Sequence, residues 1–559
     1  MSDLSDYEVN AELANTNAKR QLRVKPREPT KTRAKPVQPT KKAKPAKDVA
    51  PVRQSARLRR QVADPTESPA KRRQHEKEEE ERRAKEAEER LEAEERAREA
   101  KKPRHRDLDL PTLTDELGYE ELGTLRTTLQ VTLKTAHPRE ATAQDSFVFE
   151  EDEKENVAIA ELKETLSHLK VVARAKVTQD RVYSAAFHPE PTKDLIFFGD
   201  KHGQLGIWDA RAPAEEAADD EEDTTALSRS DRENGKYWRL QLHWPATSKS
   251  SISSIKFDPT DAHSVYTSSY DSTIRHLSFT SGQSSEVFAT EGDLISCIDL
   301  SPTGNEMWIS DAIGGLTHLD LRVDRSHAKW YQLSDQKIGS VSINPSNPHF
   351  LVTASNNRAM RIWDTRKLAD IPIKTPQDIK NDLNEVDHDA IADFVSSPEG
   401  KSCLRAEWRH NKSVSAAYWD PRGRSIVSTS YDDTLRLWDF DGTLMKRDAT
   451  FPSARPMTQI KHDCQTGRWL TVFRAQWSPN PDVYPHFTAS RPAIFICSGT
   501  NMWSRLATWD TRLICIRRKV TFSLDSPIAA VTCSHPKVVA RAASGNASGR
   551  CVLWAPSDE

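Results

Sequence analysis

No uninterrupted apolar run in this chain approaches the ~18–20 residues needed to cross a bilayer, and its start lacks the apolar core of a secretory signal. A soluble protein of a reducing compartment, without a membrane partner, is the expectation. The seven cysteines form no C-x-x-C pair and have no histidine-rich partner spacing, which speaks against structural zinc and against a disulfide scaffold. There is no G-x-S-x-G, no phosphate-binding glycine loop and no H-E-x-x-H. Asp and His are plentiful, but they recur with a repeat that gives them structural work. A non-enzymatic protein with no cofactor and no metal is therefore expected.

What is present is distributed unevenly. Positions 1–106 hold 30 basic and 20 acidic residues, and the remainder holds 51 and 63, so the net charge of −2 averages a basic tail with a mildly acidic body. Residues 1–70 are rich in Pro, Lys, Arg, Ala and Thr and nearly devoid of aromatics. They bury too little apolar surface to offset the entropy of ordering, and read as a disordered basic tail. Residues 71–106 contain strong helix formers, with Glu and Lys/Arg often three or four apart, and predict a charged helix. Leu91 is the only large aliphatic residue of 71–102, so a coiled-coil seam is absent. Residues 107–170 read as a transition segment with a short helix over Val157–Lys170.

From residue 171 to 559 the chain repeats. Trp208-Asp209, Trp363-Asp364, Trp438-Asp439 and Trp509-Asp510 each end an apolar run, and Leu277-Ser278, Leu319-Asp320 and Trp554-Ala555 are weaker endings of the same kind. Repeats of about 40–45 residues ending in Trp-Asp are the signature of a β-propeller, one four-stranded blade per repeat. Seven endings predict an all-β, seven-bladed ring. The intervals between them are 69, 42, 44, 75, 71 and 45 residues, and the long ones are insertions. The first contains the acidic loop Ala214–Asp223 and the second a polar loop over about 369–402. The third contains Lys446–Arg455 and an unpatterned stretch near Pro481–Trp503. Val171–Val177 is expected to complete the last blade and so close the ring. Within repeats, an Asp or Asn such as Asp271 is expected to hold a tight turn by accepting nearby backbone N–H groups.

Loops that lead into the innermost strands gather at one end of a propeller. Arg181, Lys337 and Lys412 precede such strands, and the loops between second and third strands add Lys201-His202 and Arg358. Cations converging on one rim of an acidic body would attract a polyanion. The loop before the sixth blade carries Lys461, His462, Gln465, Gly467, Arg468 and Trp469. Such a loop can press a planar side chain into a disturbed base stack while Arg468 holds phosphate. Trp469 has a second reading, as the buried start of a strand Trp469–Trp477; His462 and Gln465 are expected at the surface.

The blade order, the run Lys461–Phe487 (KHDCQTGRWLTVFRAQWSPNPDVYPHF) and the blade ending Ala354–Arg366 (ASNNRAMRIWDTR) resemble the fungal WD-repeat DNA damage-binding proteins. These are relatives of the small WD-repeat subunit of the ultraviolet-damaged-DNA-binding complex. The resemblance spans roughly 107–559. It implies double-stranded, damaged DNA as partner, chromatin proteins as further partners, and a hairpin at His462–Trp469 that inserts at the lesion. It also implies phosphate contacts at Arg181, Lys201 and Lys337. This chain departs from the subunit's aromatic, His-rich wedge at Gln465–Trp469, and from the family's pattern at Ala489–Leu506.

Three endings, Trp208–Arg211, Trp363–Arg366 and Trp509–Arg512, fit W-D-x-R. Propellers with this box often dock on the large adaptor subunit of a cullin-RING ubiquitin ligase. The resemblance places the docking box at Trp363, Asp364 and Arg366, and a protein-interaction scaffold or substrate receptor is the rival functional reading. Basic clusters at Lys41–Lys47, Lys71–Arg73 and Lys101–Arg106 fit import into the nucleus or nonspecific DNA contact.

Overall fold

The computed structural model describes Arg82 and residues 105–114, 117–142, 152–213, 233–371, 384–440, 455–462, 464, 471–489, 494–497, 515–516 and 529–556. The tail 1–70 and the charged helix 71–106, apart from Arg82, His105 and Arg106, lie outside the described residues. So do the acidic loop Ala214–Asp223, the stretch 446–454 and the Trp509–Arg512 box. The chain divides into two units, 1–93 and 94–559; the elements below belong to the second.

The fold is mainly β, a WD-repeat β-propeller, and the described strands form seven sheets. Six of these are built on inner strands of six residues: Val182–Phe187, Ile252–Phe257, Ile295–Leu300, Ile338–Ile343, Val414–Trp419 and Ala529–Ser534. The other is slighter, with Ala475–Trp477, His486–Ala489, Ile494–Cys497 and Cys515–Ile516. In chain order we number the sheets one to seven from Val182–Phe187, so the slight sheet is six.

Strands whose two faces are both covered read as runs of apolar and small residues, and among the described residues apolar layers join neighbouring sheets. Phe197, Leu205 and Trp238 of sheet one meet Ile252 and Val265 of sheet two. Val341 and Leu351 of sheet four meet Trp308 and Leu316 of sheet three. Tyr418 and Leu437 of sheet five meet Trp477 and Phe487 of sheet six. Burying each large side chain contributes about 1.5–3 kcal/mol, so the ring rests on many such contacts. Closure follows the expected route. Leu169–Lys176 pairs antiparallel with Arg550–Pro556 as the outermost strand of sheet seven, starting two residues before the expected Val171.

The turn acids behave as the repeat implied. Asp200 accepts from the backbone N–H of His202 and Gln204, both at 2.8 Å. Asp271 accepts from Thr273 N at 2.9 Å, and Asp311 from Ile313 and Gly315. The next positions need a left-handed backbone, which glycine takes at Gly203, Gly314 and Gly549; Ser272, Arg358 and Asp433 take it too.

Residues 107–170 are more than a transition. Leu108–Asp109 adds a fifth strand to sheet two, pairing with Gln283–Ser284. The buried Arg275 guanidinium fixes the incoming chain by donating to the Arg106 carbonyl and to Ser284. Leu110 and Leu113, then Leu125 and Leu129 from helix Tyr119–Val131, enter the apolar layer of sheets one and two. Glu120 and Glu121 favour the start of that helix, and the Glu121 carboxylate accepts from Gly118 N at 3.1 Å. The second helix is Asp152–Ser167 rather than Val157–Lys170. Ile159, Leu162 and Leu166 share its buried face and pack on Tyr484 and Trp554. It stops at Ser167 because the chain must extend to form the closing strand.

The insertion 369–402 is not merely a polar loop. Asn384–Val386 pairs parallel with the outer strand Lys329–Gln332 of sheet three, and helix His388–Ser396 follows, capped by Asp387. Val386 and Ile391 enter the layer of sheets three and four. A few spaced apolar residues, and an outer strand whose backbone groups need partners, explain the added strand.

Candidate nucleic-acid interface

One backbone contact repeats around the ring and decides which side chains share an end. The residue just after a second strand donates its N–H to the residue just before the inner strand. Lys201 donates to Arg181 O, Tyr270 to Ser251 O, Asn356 to Lys337 O and Tyr431 to Ser413 O, all at 2.9–3.0 Å. Residues taken from two loops are thereby placed side by side at the strand-start end.

There the structure brings Arg181 and Lys337 into one connected group through tyrosines. Arg181 hydrogen-bonds the Tyr183 hydroxyl, and burial, with Tyr270 nearby, pushes that phenol up to about 12, so it is neutral near pH 7. The Tyr183 and Tyr270 rings meet edge to face at 6.4 Å. Lys337 Nζ donates to Tyr270 Oη at 3.3 Å and lies 4.8 Å from its ring centroid, a contact worth about 0.5–1 kcal/mol. Lys201 is half-buried beside Arg181, with its carbonyl accepting from Ser251 Oγ at 2.8 Å. Lys412 and Arg358 are exposed at the same end. Lys461 is exposed too, but it ends the outer strand Thr458–Lys461, opposite Thr434.

His462 is not at the surface. It is 2% exposed, its N–H donates to Asp433 O at 2.8 Å, and its Nδ1 lies 3.3 Å from Cys464 Sγ. Cys464 N donates to Asp433 Oδ1 at 2.9 Å, and Phe473 meets the His462 ring edge to face at 6.5 Å. On the returning side, Ser415 Oγ donates to Phe473 O at 2.7 Å and Ala475 N to Thr429 Oγ1 at 2.9 Å. Both legs of the 462–474 loop are thus rooted on sheet five, and His462 is buried because it fills that root. Gln465, Arg468 and Trp469 lie outside the described residues. The inner strand is Ala475–Trp477, not Trp469–Trp477.

That shift in boundary uncovers Arg474. It immediately precedes an inner strand, the same criterion that selects Arg181 and Lys337, but a strand drawn from Trp469 hides it. Its Nη1 donates to Ser253 O at 3.0 Å and its Nη2 to Ser296 O at 3.1 Å, on the inner strands of sheets two and three. Burial opposes its charged form, but its surroundings, with Tyr418, Cys297, Tyr270 and Tyr431 nearby, hold it more firmly protonated than usual. Lys256 and Asp299 pair at 2.8 Å on the neighbouring inner strands.

At the other end, Trp363 is buried and donates Nε1–H to Thr353 Oγ1 at 3.1 Å. Asp364, 1% exposed, holds Arg366 through two bonds of 2.9 and 2.7 Å and the buried Arg405 through one of 2.8 Å. These guanidinium groups hold its carboxyl below the usual range against the opposing effect of burial. Arg366 retains 32% exposure of its side chain. In the matching box of sheet one, Arg211 pairs with Asp194 instead.

A histidine–acid–hydroxyl cluster is also present, but it is sealed. His243 Nδ1 lies 3.1 Å from Asp271 and 3.0 Å from Thr273 Oγ1, with Nε2 2.9 Å from Thr267 Oγ1, and both members of the His–Asp pair are buried. No substrate reaches it, and its geometry serves to join strands. Among the described residues no group of three or more His, Cys, Asp or Glu could hold a metal ion, and no helix is long and apolar enough to cross a membrane.

The sequence matches the family described as WD domain, G-beta repeat, over residues 238–276, 329–364 and 401–439. Among similar proteins is the DNA damage-binding protein CMR1 of Cryptococcus neoformans, 34% identical over 505 residues covering 82% of each chain. The protein of that name in Mycosarcoma maydis is 31% identical over 82% of this chain and 84% of its own. The one in Neurospora crassa is 33% identical over 68% and 65%. With this identity sustained over most of both chains, and the repeat fold in place, the chain belongs to the CMR1 family of fungal WD-repeat proteins.

Proposed function

We propose that this chain is a nuclear, non-enzymatic DNA-binding propeller that favours damaged or distorted duplex and acts in the DNA damage response. The observation that carries this reading is the Arg181–Tyr183–Tyr270–Lys337 group at the strand-start end, beside Lys201 and near Arg358 and Lys412. Tyrosine rings and hydroxyls hold these cations in place at the loop-bearing end, which suits phosphate. The relatives are named for binding damaged DNA, which agrees. The slight sheet, whose strands fall within 475–516, is read as the sixth blade of a seven-bladed ring, which completes this platform.

In the mechanism, Arg181, Lys201, Lys337, Lys412 and Lys461 neutralise backbone phosphates. Gln465, Arg468 and Trp469 then meet the duplex from a loop whose root is His462. A lesion lowers the cost of unstacking, so an indole brought to the stack discriminates by deformability rather than by base identity. Damaged DNA, with chromatin proteins around it, is the partner.

The test is titration of a labelled duplex, intact and lesion-containing, with the full chain and with Trp469→Ala. Tighter binding to the lesion, lost in Trp469→Ala while intact-duplex affinity persists, is expected. Equal affinity for both duplexes would remove the damage preference.

A second reading, a substrate receptor docking on a ubiquitin-ligase adaptor, draws on one observation: Arg366 is held rigidly by Asp364 yet stays partly exposed. Arg366→Ala would then weaken adaptor capture and leave DNA binding intact.

A further inference from the structure

Sheets in the ring are neighbours in chain order, so sheet six borders five and seven. Sheets two and three are the pair farthest from it in either direction. Arg474 nevertheless leaves the chain at the start of sheet six and donates to Ser253 O of sheet two and Ser296 O of sheet three, at 3.0 and 3.1 Å. Its side chain therefore crosses the channel axis. Among the described residues it makes no ion pair, and its two partners are neutral carbonyls on separate sheets. A forked guanidinium can satisfy both at once; an ammonium, with a single donor centre, cannot bridge them equally.

The residues of the proposed DNA face fall into two sets on either side of this bridge. Arg181 and Lys201 belong to sheet one, on one side with sheets seven and two, and Lys337, Arg358, Lys412 and Lys461 to sheets four and five, on the other side, where the loop legs are also rooted. Tyr270, which carries Lys337, and Tyr431 of sheet five are both within electrostatic reach of Arg474. We propose that Arg474 is a positioning residue: a cross-channel tie that fixes the two halves of the DNA face at one separation. Rigid spacing matters because phosphates on a duplex are rigidly spaced too. The proposal rests on the reading of this end as the DNA face.

The test compares full-length wild type with Arg474→Lys and Arg474→Met. Three readouts are needed: duplex affinity against salt, hydrogen exchange over 252–257, 295–300 and 471–477, and near-ultraviolet circular dichroism for the fold. Loss of the two bonds should cost about tenfold in affinity in both variants. Exchange should rise in all three segments, with the slope of log affinity against log salt unchanged. If Arg474→Lys keeps wild-type affinity while Arg474→Met lowers the slope by about 0.9, Arg474 is a phosphate contact and the tie is wrong. Unchanged affinity and exchange, or loss of the folded signal in both variants, would also overturn it. If wild type binds no duplex, the functional reading falls by itself; unchanged exchange in the variants would then remove the tie as well.

Discussion

The arginines beside the Trp-Asp endings and the cations of the strand-start cluster sit on different partners. At the Trp-Asp end arginines sit on carboxylates: Arg366 and Arg405 on Asp364, Arg211 on Asp194, Arg322 on Asp320. At the strand-start end Arg181 and Lys337 lean on tyrosines, and Arg474 on two carbonyls. A carboxylate neutralises what it holds, whereas a tyrosine or carbonyl orients a cation and leaves its field standing. The first arrangement stabilises a blade, and the second suits an external anion.

The largest effect should come from breaking the carboxylate end. Asp364→Ala leaves two guanidinium groups facing each other, one of them buried, and should cost about 3–5 kcal/mol in urea unfolding. Duplex affinity of the folded fraction should not change. A cost under about 1 kcal/mol would mean that Asp364 is not the hub the geometry makes it.

Acid sharpens the comparison next, because histidines inside the sheets are held neutral. Burial lowers His188, His410 and His486 to about 4, while unfolded they take a proton near pH 6.5. Between these values the unfolded chain binds more protons, so their contribution is complete above pH 6.5 and is lost as pH falls toward 4. Each should forfeit about 1.4 kcal/mol per pH unit inside that window. Asp200, raised to about 7 by burial, works against this: it keeps its proton in the fold, so its contribution declines as pH rises from about 4 to 7. Three histidines outweigh one aspartate, and the melting temperature should fall from pH 6.5 to 4.5. A flat profile would contradict the burial of these rings.

The smallest effect concerns Arg358. It takes φ +74° in a turn where sheets one, three and seven use glycine. Arg358→Gly should therefore be neutral or raise stability by up to about 1 kcal/mol, while lowering duplex affinity a few-fold. Loss of stability would show that the side chain supports the blade rather than the face.

The ring was legible because Trp-Asp endings and turn acids recur with a period, and a period exposes whatever every blade repeats. What stayed hidden was non-repeating. Leu108, Leu110 and Leu113 dock on a sheet far along the chain, and Val386 joins an outer strand of the preceding sheet, contacts that no local pattern announces. The placement of Arg181, Lys201 and Lys337 at the strand-start end is readable because position in the repeat sets it. The burial of His462 is not legible in the sequence, because a polar letter in a loop says nothing of the root it fills. Arg474 is hidden in the sequence because the apolar and neutral run Trp469–Phe473 just before it imitates a strand.

The central claim, that the tyrosine-held cations of the strand-start end form the DNA face, is tested most directly by one salt titration. Duplex affinity of the full chain is measured between about 50 and 200 mM salt for wild type and for Arg181→Ala/Lys337→Ala. The account predicts weaker binding by the double variant at every salt concentration, with a log–log slope shallower by about 1.8. An unchanged slope and affinity would place the DNA elsewhere and contradict it.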